Sequence, residues 1–380
     1  MKLSQKLFRD GFLREDELLD LARIEPQLVI VFGAKAAFTS RYFHETLRNS
    51  FPNAHLAGCT TAGEIAGDKV FDGACVVTAV HFSSTVLRQA KARIAKMDDS
   101  LAMGKQVGIQ LQSPELRGVL LFCKGLTVNG SAVIQGVSAG VNAPVPISGG
   151  LAGDGSAFLR TLVLDNDGVS DEGLVGIGFY GDGLRIGHGS YGGWDPFGPA
   201  RRITHCQGNV LLELDGEPAL NIYKNYLGEY AKDLPASGLL FPFEMLDRDH
   251  SRLGLIRTIL GIDEAVGGLI LAGDIIPDGY LRLMHSSTDA LVTGAETAAK
   301  TARNMVKNPG PGLALLVSCV GRKLIMGDNV DEEVEIVAET FDMGTIITGF
   351  YSYGEISPFS STMDCQLHNQ TMTITFLTEE

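Results

Sequence analysis

Apolar residues along this chain come in short runs, and each run is set in the same surroundings. Leu28–Phe32, Val119–Cys123 and Leu313–Cys319 are strand-length apolar runs, the pattern of a strand buried on both faces. Each is followed by a helical stretch: near Ser40, from about Ser131, and over Glu332–Thr340. Next comes a glycine-rich turn carrying an acid. The three turns read Gly58-Cys-Thr-Thr-Ala-Gly-Glu-Ile65, Gly149-Gly-Leu-Ala-Gly-Asp154 and Gly349-Phe-Tyr-Ser-Tyr-Gly-Glu-Ile356. A further β-rich run closes each unit, over Ala74–Phe82, Leu174–Tyr180 and Thr371–Leu377. The strand–helix–strand part predicts a right-handed parallel crossover. The strand after the turn predicts an antiparallel neighbour, and so mixed sheets. Repetition on this scale points to duplication of one supersecondary unit.

The remaining segments fit around these units. Ser100–Gln112 and Asp215–Tyr230 read as helices, the second with Pro218 in its first turn. Ser287–Asn308 reads as a helix stopped by Asn-Pro-Gly-Pro-Gly. Leu239–Leu283 holds short β-rich runs broken by turn residues, a meander pattern. Asp165-Asn-Asp-Gly168 reads as a hairpin turn. The expected class is α/β with mixed sheets, in two domains built from repeated strand–helix–strand–strand units. The expected boundaries are a helical segment over 1–24 and domains over 25–215 and 216–380.

Composition narrows the function classes. The chain has 380 residues and a net charge of −14, from 31 Lys+Arg against 45 Asp+Glu. It contains no basic run of the kind nucleic acid requires, and an anionic membrane surface is disfavoured for the same reason. Its apolar runs fall far short of the about 20 residues that span a bilayer. The six cysteines form no C-x-x-C pair, so a reduced, cytoplasmic protein is expected. Glycine is abundant, 46 of 380 residues, and the acid-bearing turns read as walls of a repeated binding site.

Two familiar motifs occur out of context. Gly136-Val-Ser-Ala-Gly140 matches G-x-S-x-G, but a helical pattern precedes it, so it reads as the end of a helix. Gly176-Ile-Gly-Phe-Tyr-Gly181 matches G-x-G-x-x-G inside a strand pattern with no helix after it.

The candidate chemistry lies in the third unit. Arg322 follows its first strand, and Phe350-Tyr-Ser-Tyr-Gly-Glu355 ends its second; Leu367-His-Asn-Gln-Thr371 lies beyond. Ligands in α/β sheets bind outside such carboxyl ends. Arg322 offers a carboxylate fork, Glu355 a partner for an ammonium, and Tyr351 and Tyr353 apolar faces with polar tips. Ser352 and Asn369 complete this candidate ligand site. The alternative is an internal Arg–Glu pair with the tyrosines as packing. A second candidate is the glycine-rich stretch Gly187–Gly198, which holds Trp194, the one tryptophan; there the alternative is a hydrophobic plug. A competing class is an enzyme using Cys59 or Cys319 as nucleophile, for which no general base is evident.

These pieces, in this order, resemble the FIST family, a sensory module of bacterial signal transduction. The matching segments are Gly58–Ile65, Ile147–Asp154, Gly193–Gly198, Ser318–Arg322, Gly349–Ile356 and Leu367–Thr371. The resemblance implies an N-terminal FIST domain followed by a FIST C-terminal domain. It implies ligand sensing rather than catalysis, acting in trans on a partner protein. Small ligands such as amino acids are one implied class. Stand-alone members that carry haem, sense nitric oxide and regulate a partner histidine kinase are the other. On that second reading His188 and His368 are the candidate haem ligands. A homodimer is compatible with either.

Overall fold

The computed structural model describes residues 1–307, 310–358 and 365–379. The first repeat comprises β1 (Lys2–Phe8), α1 (Glu15–Ala22), β2 (Leu28–Gly33), α2 (Lys35–Phe38), α3 (Phe43–Ser50), β3 (His55–Thr60), β4 (Glu64–Ala66), β5 (Lys69–Phe71) and β6 (Cys75–His81). The second comprises β7 (Val86–Arg93), α4 (Ser100–Leu111), β8 (Leu116–Cys123), α5 (Gly130–Val141), β9 (Ile147–Leu151), β10 (Val163–Asp165), β11 (Gly168–Ser170) and β12 (Gly173–Tyr180). The third opens on β13 (Leu184–Tyr191) and is then interrupted. The insertion holds β14 (Asp195–Pro196), β15 (Arg201–Gln207), β16 (Val210–Leu214), β17 (Glu217–Pro218), α6 (Ala219–Leu227), β18 (Phe243–Leu246), β19 (Arg252–Arg257), β20 (Ile259–Asp263), β21 (Gly268–Leu271) and β22 (Tyr280–His285). The third repeat resumes with α7 (Thr288–Asn304), β23 (Leu313–Cys319), α8 (Val320–Met326), α9 (Asp331–Thr340), β24 (Ile346–Ser352), β25 (Gly354–Pro358), β26 (Cys365–His368) and β27 (Met372–Glu379).

The expected mixed sheets are present. In each repeat the strands flanking the helix run parallel: β2 with β3, β8 with β9, and β23 with β24. The closing strand, β6, β12 or β27, lies antiparallel on the outer side of the first. A leading strand, β1, β7 or β13, then covers the closing one. The repeat is therefore longer than its sequence pattern suggests, because it includes the leading strand and a first helix.

After the acid-bearing turn the chain leaves its own sheet. Strand β4 of the first repeat pairs with β24 of the third, β25 of the third with β9 of the second, and β10 of the second with β3 of the first. The exchange closes on itself. Among the described residues it makes three six-stranded sheets, with the insertion forming a nine-stranded antiparallel sheet of its own. The inner faces of the three sheets share one core. Phe32, Phe122 and Phe350, one from each sheet, meet there with ring centroids 4.6 Å (Phe32–Phe350), 5.5 Å (Phe32–Phe122) and 6.1 Å (Phe122–Phe350) apart.

Three glycines have a structural job rather than the binding role expected of them. Gly58, Gly149 and Gly349 sit opposite Val31, Leu121 and Leu316 on the parallel neighbour. A Cβ there would lie 1.8, 2.0 and 2.0 Å from the facing carbonyl oxygens. Only glycine lets the strands approach this closely. The G-x-S-x-G match has the same kind of explanation. Gly136 and Gly140 of α5 interlock with Gly104 and Gly108 of α4, where added Cβ atoms would meet backbone oxygens at 2.3–2.4 Å. Gly187 and Gly189 likewise admit the backbone of α7. The glycine-rich stretch Gly187–Gly198 is strand as far as Tyr191.

Some boundaries differ from expectation. Residues 2–8 are a strand, and only Glu15–Ala22 of the 1–24 segment is α-helix. The 215/216 position lies between β16 and β17, which pair with each other inside the inserted sheet, so no break in the backbone pairing marks it. The helix expected from Asp215 begins at Ala219 with Pro218 as its N-cap. The helix expected over Ser287–Asn308 runs Thr288–Asn304, capped by the Ser287 hydroxyl; Asn308 and Pro309 lie outside the described residues. The hairpin turn at 165–168 joins β10 and β11 as expected.

Gly149→Ala should lower stability by roughly 1–3 kcal/mol or more, because the new methyl overpacks a rigid backbone contact. Gly310→Ala, where a Cβ meets nothing within 4 Å, should be near neutral. Urea-unfolding midpoints compare the two directly.

Candidate functional site

Arg322, in α8, is wholly buried, and its fork is filled from within. Its Nε and Nη2 donate to Glu333 Oε2 at 3.0 and 2.6 Å, Nη2 also to the Leu291 carbonyl at 2.9 Å, and Nη1 to the Gly192 carbonyl. Glu333, from α9, accepts from Ser318 at 3.0 Å and from the Tyr351 hydroxyl at 2.5 Å through its other oxygen. Arg322, Glu333, Ser318 and Tyr351 are all 0% exposed. The arrangement is the internal ion pair weighed above, with Glu333 rather than Glu355 as the partner. It leaves no face for a ligand.

Glu355 belongs to the turn instead. Ser352 Oγ donates to it at 2.8 Å, and the Thr371 amide and hydroxyl donate at 3.1 and 2.9 Å. The first repeat copies this turn with Thr61, Glu64 and the Ala74 amide. Burial pushes the Glu355 carboxyl up to about 8 and that of Glu64 to about 7. The two tyrosines point apart. Tyr351 faces Glu333, while Tyr353 reaches into the second repeat, bonds Asp154, and stacks on Phe158 with centroids 4.3 Å apart.

A different set converges. The loop after β13, β19 and β18 of the inserted sheet, and the 368–371 turn enclose a cavity of ≈ 270 Å³. Trp194 forms one wall, its indole N–H donating to the Gln370 carbonyl at 2.7 Å. His368 and Thr371 border it from the third repeat, with Ser190 and the Gly192–Gly193 backbone beside them. The inserted sheet supplies Glu244, Arg252 and Ile256. Glu244 is buried between two arginines: Arg252 Nε donates to one oxygen, and Arg282 Nη2 to the other at 2.6 Å. The pair leaves this rim with one net positive charge. Asn369 is also buried here in sequence, with its Oδ1 lacking a protein partner.

Of the expected site residues, the structure brings Trp194 and His368 together on this cavity, while Arg322, Tyr351, Ser352 and Glu355 lie in the packed interior. Sequence reasoning missed Glu244 and Arg252. The available signal was one acid inside an otherwise apolar strand, Phe243-Glu-Met-Leu246.

The haem reading can be set against these positions. His188 lies buried on β13, with its Nδ1 lacking a protein partner. His368 lies on β26, its Nε2 held 3.0 Å from the Ser357 carbonyl, and burial pushes its imidazole down to about 4. Held to that carbonyl, the His368 Nε2 offers no lone pair to a haem iron. Cys59 and Cys319 are buried, and burial pushes both thiols up, away from the thiolate that a nucleophile needs. Among the described residues no three His, Cys, Asp or Glu side chains are grouped to hold a metal ion, and no helix is long and apolar enough to cross a membrane.

Comparison with known proteins places the chain in a family. The FIST N domain matches residues 27–217 and the FIST C domain residues 219–358. The chain belongs to the FIST family, whose domains sense ligands in signal transduction. It is 25% identical over 328 residues to an uncharacterized protein of Methanocaldococcus jannaschii, a match covering 78% of this chain and 60% of that relative's length. Among solved structures it is similar over the full length of both chains to cyanuric acid hydrolase from A. caulinodans, with TM-score 0.38 and 8% identity. A second cyanuric acid hydrolase structure gives 0.36 and 10%. Likeness at that level transfers nothing about chemistry.

Two stability experiments follow from these groups. Arg322→Met should cost about 3–5 kcal/mol, since it strands Glu333 in the interior; denaturant unfolding measures the loss. Glu355 and Glu64 keep their protons in the folded state to higher pH than in the unfolded one. Their contribution is therefore full below about 4.3, the unfolded value, and is lost as pH rises through about 7 to 8. Glu355→Gln should flatten that decline in a series of unfolding curves from pH 5 to 8.

Proposed function

We propose that this protein is a sensory module whose ligand site is the cavity between the third repeat and the inserted sheet. The observation that carries the proposal is the meeting of Trp194, His368, Glu244 and Arg252 around one cavity between two separately built sheets. The ligand class is an amino-acid-sized molecule bearing a carboxylate. Arg252 supplies the charge for that carboxylate, with its Nε already steadied by Glu244. Ser190 and Thr371 offer hydroxyl oxygens, and Trp194 and Ile256 offer apolar faces. This is the amino-acid or small-carboxylate reading moved from Arg322 and Glu355 to a different charged pair. It makes the protein a binder rather than an enzyme.

A ligand bridging the two sheets favours whichever relative placement lets it touch both. That placement is the signal a partner such as a histidine kinase would read.

Trp194 is the only tryptophan, so its fluorescence reports on the cavity alone. Titration with an amino-acid and small-carboxylate panel should give a saturable change with at least one compound. Arg252→Gln should weaken that binding about 10–100-fold, the loss of one charged hydrogen bond, while Glu244 keeps Arg282. No response across the panel sinks the reading. A Soret band shifting with nitric oxide in haem-supplemented protein would replace it with the haem reading.

A further inference from the structure

Strand β19 separates the cavity just described from a second one. Successive strand side chains point to opposite faces. Arg252, Gly254 and Ile256 line the first cavity; Leu255 and Arg257 line the second, of ≈ 520 Å³. Helix α5 forms the opposite wall with Ser131, Gln135 and Ser138, whose spacing places them on one helical face. Strand β26 also borders both spaces, with His368 on the first and Cys365 and Gln366 on the second.

Arg257 is the unusual group. It is 3% exposed, yet no carboxylate lies within salt-bridge distance of it among the described residues. Its bonds go to neutral acceptors: Nε to the Asp274 carbonyl at 3.1 Å, and Nη1 to the carbonyls of Ile256 at 3.2 Å and Leu367 at 3.3 Å. Among the described residues no hydrogen bond runs from Nη2. Gly273 leaves the guanidinium its space, since a Cβ there would lie 3.0 Å from Nε. The Asp274 side chain also lines this cavity, but its carboxylate accepts from Asn129 at 3.1 Å. Across the space, Ser131 Oγ is buried with no partner. A buried cation held only by carbonyls is costly unless an anion joins it. Burial draws this guanidinium down to about 10, with the charge of the Asp274 carboxylate, beyond ion-pair distance, pulling the other way.

We propose that this second cavity is an anion site, in which Arg257 holds the carboxylate or phosphate group of a small molecule and the Ser131 hydroxyl donates to it. The guanidinium fork suits either oxyanion. The site shares no side chain with the first cavity and stands or falls separately from it.

Calorimetry on the full chain tests it, with inorganic phosphate and succinate titrated in separate arms. At least one should give saturable heat, and the arm that responds identifies the oxyanion. Binding should weaken at least tenfold in Arg257→Gln and persist in Arg252→Gln, which alters only the first cavity. Gln135→Glu, on the exposed face of α5, should weaken binding several-fold by placing a like charge at the rim. It decides the matter should Arg257→Gln fail to fold. No saturable heat in the wild type overturns the proposal, as does wild-type affinity in Gln135→Glu or in a folded Arg257→Gln. Loss of the heat in Arg252→Gln overturns it too, because the anion then sits in the first cavity.

Discussion

The buried pair of Arg322 and Glu333 holds the loop at the first cavity in place. Removing two charges from water costs several kcal/mol per ion, and the cost is offset only when every donor and acceptor finds a partner. Here the partners come from four directions. Ser318 and Tyr351 lie near the ends of β23 and β24, Leu291 is in α7, and Gly192 begins the loop that carries Trp194. The loop at the first cavity is thus anchored to the interior of the third repeat. An apolar substitute would pack the core, but it would not fix the direction in which that loop leaves β13.

The three glycines facing carbonyls play a comparable part in each sheet. They pull the second parallel strand tight against the first just before the chain departs for the neighbouring sheet. The turns at Thr61–Glu64 and Ser352–Glu355 then aim the departing strand, with a buried carboxyl gathering a hydroxyl and a distant amide. Position along the chain therefore decides what a glycine-acid turn is for. In the first and third repeats it routes the backbone. In the second, Asp154 instead receives Tyr353 from the third repeat.

Much of this was legible because strand burial and turn chemistry are local. The apolar runs, the parallel crossover units and the hairpin at 165–168 follow from patterns a few residues long. The leading strands were not legible, since Lys2–Phe8 is half-buried and mixes charge with apolar residues, and the insertion separates β13 from the rest of its repeat. The partner of Arg322 was hidden for a related reason. Asp331-Glu-Glu333 reads as an acidic helix start facing water, and only tertiary packing turns Glu333 inward. Glu244 and Arg252 lie eight residues apart across a hairpin, and their meeting with Trp194 and His368 depends on how the inserted sheet docks. The sequence order of those residues carries no trace of that docking.

The cyclic exchange of strands has a bearing on how the protein is made. Strand β4 leaves the first repeat early in the chain, but its sheet partner β24 is synthesised near the end. Until β24 emerges, a nascent chain holds β4 against β5 alone and exposes one face of the shared aromatic core. Domains ordinarily fold as units in the order they emerge; here the first repeat has to wait for the third. The nascent chain thus presents an edge that a chaperone is suited to cover, and the cycle of exchanged strands closes only once the third repeat has emerged.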